Sequence, residues 1–110
     1  MSRRFLTDFE LMILLAVLRV REEAYGVPIA REIEETAGRR VTLGAVYLVL
    51  DRLQENGLVV SELGAATPER GGRAKKFFRI TPKGLRAVRT TRRAFIALWK
   101  SIPELKGGMV

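Results

Sequence analysis

Four cations, Arg73, Lys75, Lys76 and Arg79, fall within seven positions, next to the paired glycines Gly71-Gly72 and the aromatic pair Phe77-Phe78. The chemistry open to such a set is electrostatic. Guanidinium groups hold phosphate oxygens as a planar fork, and ammonium groups hold them as point charges. Bond-making chemistry has much less to work with. The 110-residue chain contains no cysteine and no histidine, which removes disulfides, thiolate zinc sites, Cys–His pairs and a histidine general base. The carboxylate pairs Glu22-Glu23 and Glu34-Glu35 accompany no nucleophile or metal-ligand constellation and read as solvated faces. No enzyme activity, cofactor or metal is expected.

The placement of charge says more than its sum. Residues 1–57 carry 8 basic and 9 acidic side chains, whereas residues 58–110 carry 12 and 3, so nearly all of the net +8 sits in the second half. A solvated basic surface would account for the total, but the asymmetry favours a polyanion site. A composition 47% apolar and 29% charged fits one globular domain with a modest core. The apolar run Leu11 to Leu18 is too short to span a bilayer and has no cleavage site behind it. The expectation is a soluble cytoplasmic protein, associated with the nucleoid and without a membrane partner.

The elements that must position these cations follow from punctuation and period. Gly71-Gly72 permits a turn with positive φ. The flanking runs Leu58 to Leu63 and Lys75 to Ile80 read as the strands of a β-hairpin with a basic tip. Thr7-Asp8-Phe9-Glu10 is a capping box opening a helix from about Asp8 to about Val20. That helix is apolar all round, which means burial on every side, as a central core helix, with Leu11, Leu14 and Leu15 against a second chain, or both. A second helix starts near Pro28, with Ile29, Ile33 and Ala37 inward, and stops at Gly38. Arg39 and Arg40 then form a basic corner. Thr42 caps a third helix from about Leu43 to about Asn56, with Leu43, Val46, Leu50 and Leu53 on one face. Its outward first turns, Gly44, Ala45 and Leu48, are small and apolar, which suits entry into a major groove. Thr42, Tyr47 and Arg52 would then reach phosphates or base edges, although Tyr47 equally fits a half-buried core aromatic. Thr81-Pro82 opens a last helix to about Ile102, about 30 Å long at ~1.5 Å per residue. Leu85, Val88, Arg92, Phe95, Trp99 and Ile102 share a heptad-like seam there, which favours dimerisation.

The fold class is therefore mainly α (α+β): a winged helix-turn-helix with a long C-terminal dimerisation helix. Residues 1–81 would form the DNA-binding part and 82–110 the dimerisation helix and tail. A minimal strand near Arg40-Val41 would complete the sheet.

In this arrangement the chain resembles the short form of the PadR family of transcriptional regulators. The resemblance is carried by Ala24-Tyr25-Gly26, by Val41 to Leu53 with its Tyr47-x-x-Leu50-x-Arg52-Leu53 core, by Gly57-Leu58-Val59, and by the wing Pro68 to Gly84 with its Arg70-Gly71-Gly72-Arg73 centre. It spans roughly residues 9–100. It implies a homodimeric winged helix-turn-helix repressor whose last helix builds the dimer, whose reading helix contains Tyr47, and whose wing cations approach the flanking backbone. Some such regulators sense phenolic or flat aromatic compounds through a tryptophan at the dimer interface, and Trp99 sits in a comparable place with Phe95 beside it. Phe77-Phe78 stands where tyrosines are common, so two hydroxyl donors are absent.

The expected partners are operator DNA, a second copy of the chain, and a small aromatic or hydrophobic effector. The expected DNA-binding set is Arg39, Arg40, Thr42, Gly44, Ala45, Tyr47, Leu48, Arg52, Arg73, Lys75 and Lys76. A small-molecule binding module centred on Trp99, with DNA binding secondary, is the alternative. Structured RNA comes third, because no stacking platform accompanies the charge.

Overall fold

A computed structural model of the chain describes residues 5–64 and 75–106. Arg73 and Gly71-Gly72 lie outside the described residues. The organising element is α1 (Asp8–Val20), opened by the expected capping box. The Glu10 amide donates to Thr7 Oγ1 at 3.2 Å, and the Thr7 amide donates to Glu10 Oε1 at 2.8 Å. Ile13, Leu14, Ala16 and Val17 are buried by the rest of the chain. Leu14 is fully enclosed, so its assignment to a dimer surface is corrected: α2, α3 and the sheet surround α1 and already cover it. Leu11 is half-buried and Leu15 exposed. The all-round apolar pattern thus reflects a central core helix with one open edge.

The second helix, α2 (Gly26–Glu32), continues as a wider π-helical stretch over Ile33–Ala37, and Gly38 ends it at φ 73°. Ile29 and Ile33 face the core as expected, but Ala37 is exposed. Ala37 is the last residue of this element, directly before the stop at Gly38; helical phase alone does not bury a terminal position. Thr36 Oγ1 and Arg19 Nε both donate to Glu32 Oε2. The Thr36 hydroxyl first, and then the Arg19 guanidinium, holds that carboxyl below its ordinary value.

The third helix, α3 (Leu43–Glu55), buries Val46, Val49, Leu50 and Leu53. Leu43, expected inside, is exposed, and Val49 is buried in addition. The first turn of α3 stands clear of the core, so helical phase alone does not bury it. Strands β1 (Val59–Leu63) and β2 (Lys76–Ile80) pair antiparallel, from Val59↔Ile80 to Leu63↔Lys76. No strand forms near Arg40-Val41 among the described residues. Instead the Phe78 amide donates to Ala24 O at 2.8 Å, so the segment after α1 satisfies the outer edge of β2.

The last helix, α4 (Pro82–Trp99), is capped by Thr81, whose Oγ1 accepts from the Gly84 amide at 3.0 Å. A Cβ on Gly84 would lie 2.2 Å from Leu58 O and 2.7 Å from Ile80 Cγ1, so only glycine lets α4 press this closely on the sheet. Lys83 Nζ donates to Asn56 O at 2.9 Å, tying α4 to the carbonyl end of α3. The expected seam divides in two. Val88 joins the chain's own core, beside buried Thr91, whose hydroxyl accepts from the Leu6 amide at 3.0 Å. Val88 is therefore corrected from dimer contact to core residue. Leu85 is half-buried and Arg92 exposed. Beyond Thr91, Phe95, Leu98, Trp99 and Ile102 are all exposed, Phe95 by 58% and Leu98 by 76%. The helix ends at Trp99, and Ile102 lies past it, before a short 3₁₀ turn at Pro103–Leu105. No helix among the described residues is long and apolar enough to cross a membrane.

Candidate nucleic-acid interface

The start of α3 carries the candidate site. Thr42 sits in extended backbone and its Oγ1 accepts from the Ala45 amide at 3.1 Å, which fixes where the helix begins. The hydroxyl proton stays available to an acceptor. Leu43, Gly44 and Leu48 are exposed and Ala45 is partly so, giving a narrow outward surface of small and apolar groups. Gly44 stands apart from the other helical glycines. A Cβ there would meet nothing within 4 Å, and its φ is not positive. The chain's own packing does not require glycine at this position.

Tyr47 resolves differently from Leu48. Its ring lies under the start of α2, and its hydroxyl oxygen accepts from the Gly26 amide at 3.1 Å. A Cβ on Gly26 would fall 2.5 Å from that ring. Tyr47 is half-buried, and through this bond it joins the head of α2 to α3. The neighbouring residue extends the junction to the wing. Lys75 Nζ donates to Tyr25 Oη at 2.9 Å and lies 4.0 Å from the Tyr25 ring centre, while Phe77 meets that ring edge-on at 5.4 Å. On the other side Lys76 Nζ approaches Asp51 Oδ1 of α3 at 3.9 Å. The wing base is thus tied both to the head of α2 and to α3. Tyr25 and Gly26 were assigned no role from sequence, although a tyrosine–glycine pair opening a helix was a signal of close backbone approach.

The remaining cations divide by partner. Arg39 turns back on α1, with its guanidinium 4.7 Å from the Phe9 ring centre and 3.4 Å from Asp8 Oδ2. Arg40 and Arg52 are exposed and have no partner among the described residues. Arg73 lies outside them. The structure therefore brings Thr42, Gly44, Ala45 and Leu48 into one surface next to Arg40, and holds Lys75 and Lys76 at the wing base. No group of carboxylates among the described residues is arranged to hold a metal.

Residues 14–90 match the Transcriptional regulator PadR-like family. The chain belongs to this family. It is 35% identical over 80 residues to the transcriptional regulator Rv3488 of Mycobacterium tuberculosis, spanning 73% of this chain and 70% of that one. The fold is similar to the crystal structure of the PadR-like transcriptional regulator BC4206 from Bacillus cereus, with TM-score 0.69, 25% identity, and coverage of 92% of this chain and 93% of that one. It is also similar to that of a PadR family regulator from Eggerthella lenta, with TM-score 0.67, 24% identity, and coverage of 89% and 83%. As a PadR-like protein the chain is a DNA-binding transcriptional regulator and not an enzyme. Its winged-helix fold with a long last helix is the one these structures share.

Proposed function

We propose that this PadR-like regulator works as a homodimeric repressor. In each copy the first two turns of α3 read base edges, while Arg40, Lys75 and Lys76, with Arg73 of the wing, hold phosphates. Residues 1–81 supply the DNA grip and residues 82–110 the dimer contact. The observation that carries the reading is the surface of the first two turns of α3, where Leu43, Gly44 and Leu48 are exposed and Ala45 partly so. A solvated helix face is normally charged; apolar methyls there suit contact with thymine methyl groups. Phe95, Leu98, Trp99 and Ile102 support the dimer contact, because four exposed large apolar side chains on one stretch are a surface to be covered. Leu98 joins that set from the structure alone.

Selection of bound duplexes from genomic fragments tests the proposal. Enriched fragments should carry paired half-sites about one helical turn, ~34–36 Å, apart or a multiple of it. Leu48→Ala should change the preferred base at one position. Arg40→Gln should weaken all sequences alike and flatten the log–log salt slope by about 0.9 per chain. A base preference untouched by Leu48→Ala would defeat the assignment of α3.

An aromatic effector that relieves repression belongs to the same proposal. Phe95 and Trp99 lie four residues apart on the exposed half of α4, so a flat ring bound between two copies would stack on both. Any ligand that favours one dimer spacing changes DNA affinity by linkage.

A further inference from the structure

We infer that the outer face of α4 is a second binding surface for double-stranded DNA, outside the segment read by α3. The inference rests on the reading of the chain as a DNA-binding regulator, and it uses residues that reading leaves idle. Arg86, Arg89, Arg93 and Lys100 follow one another at spacings of three, four and seven. At ~1.5 Å and ~100° per residue they form one ridge about 21 Å long, opposite the core-facing side marked by Gly84, Val88 and Thr91. All four cations are exposed.

No carboxylate among the described residues neutralises the ridge. From Pro82 to Trp99, α4 holds five cations and no carboxylate. Arg86, Arg89, Arg92 and Arg93 have no ion pair or hydrogen bond among the described residues, whereas Arg19, Arg39 and Arg79 each face a carboxylate. Like charges three and four residues apart oppose helix formation, and interspersed glutamates would relieve that and keep the helix soluble. A helix serving only as a dimer strut therefore has no use for this pattern. A polyanion does, and arginine's planar fork matches phosphate in particular. Duplex DNA presents one negative charge per ~1.7 Å of axis, so a ridge of this length meets several phosphates.

Continuity favours DNA over an acidic protein. Lys76, Arg79 and Lys83 lead into Arg86 with no acid between them in the chain; Asp51 and Glu62 offset Lys76 and Arg79, so the ridge is the least neutralised part of that run among the described residues. The exposed apolar half of α4 follows the core-facing side. A second copy can cover it while the ridge stays open.

The test compares two duplexes centred on a selected binding site, one of about two helical turns and one of about six, each titrated over a range of salt. For the long duplex the salt slope should be steeper by up to about 2–3 per chain, at ~0.9 for each of the three arginines engaged. The variant R86Q/R89Q/R93Q should lose that increment while keeping its affinity for the short duplex, its melting temperature and its dimer state. The variant R86K/R89K/R93K should retain most of the increment, which separates charge from misfolding. If wild type and the glutamine variant show the same dependence on duplex length, the inference is overturned. Salt-dependent binding of polyglutamate that the glutamine variant loses, with no length increment on DNA, would assign the ridge to an acidic protein and equally overturn it. Failure of the wild type on the short duplex would instead count against the α3 reading.

Discussion

Gly44→Ala separates what the fold needs from what a partner needs. Gly44 is the second residue of α3, with helical backbone and open space where a Cβ would stand. Glycine inside a helix costs about 0.5–1 kcal/mol relative to alanine, mostly through the freedom of the unfolded chain. The substitution should therefore stabilise the protein by that amount. At about 4–8 °C per kcal/mol for a domain of this size, the melting temperature should rise by about 2–8 °C. Against DNA the same methyl is an obstacle. It projects from the surface proposed to meet the duplex, and an overfilled close contact costs about 1–3 kcal/mol, so affinity should fall about 5- to 150-fold at constant salt. No charge is removed, and the salt slope should therefore stay the same. Scanning calorimetry and titration of a selected duplex measure the two effects on one sample. A stabilised variant with unchanged DNA affinity would refute the assignment of Gly44 to the interface, and a destabilised one would refute the reading of its surroundings.

Two further substitutions probe how the site is held. Gly84→Ala should lower the melting temperature sharply, since its Cβ would sit 2.2 Å from Leu58 O and backbone has to move; about 1–3 kcal/mol is the usual cost of such overpacking. Comparable melting curves for the variant and wild type would show that α4 does not depend on this approach. Tyr47→Phe should cost about 1 kcal/mol by orphaning the Gly26 amide, visible in a denaturant midpoint, while its salt slope on DNA stays that of the wild type. A shallower slope would return Tyr47 to direct phosphate contact.

Sequence and tertiary structure contributed in different places. The capping box of Thr7 and Glu10, the caps at Thr42 and Thr81, the stop at Gly38 and the hairpin strands were all legible within a few residues of chain. Each depends on contacts between neighbours along the backbone, which the order of residue types already specifies. The motifs Val41 to Leu53 and Pro68 to Gly84 likewise pointed to the family that the match over residues 14–90 bears out.

What the order of residues left open was which of several apolar faces meets which neighbour. Leu14 and Val88 were candidates for a partner chain until α1 and α4 were placed in one core, where both are covered. Leu43 belongs by phase to the inner face of α3, yet the first turn stands beyond the core edge and leaves it exposed, while Val49 is buried without having been expected there. Tyr47 could bond DNA or its own chain, and only the approach of Gly26, 21 positions away, settled where its hydroxyl oxygen bonds. Helical phase distinguishes one side of an element from the other, but burial is set by contacts distant in sequence. The division of α4 into a half that packs internally and a half that stands exposed is of that second kind. It is also what leaves Phe95, Leu98, Trp99 and Ile102 for a partner to cover.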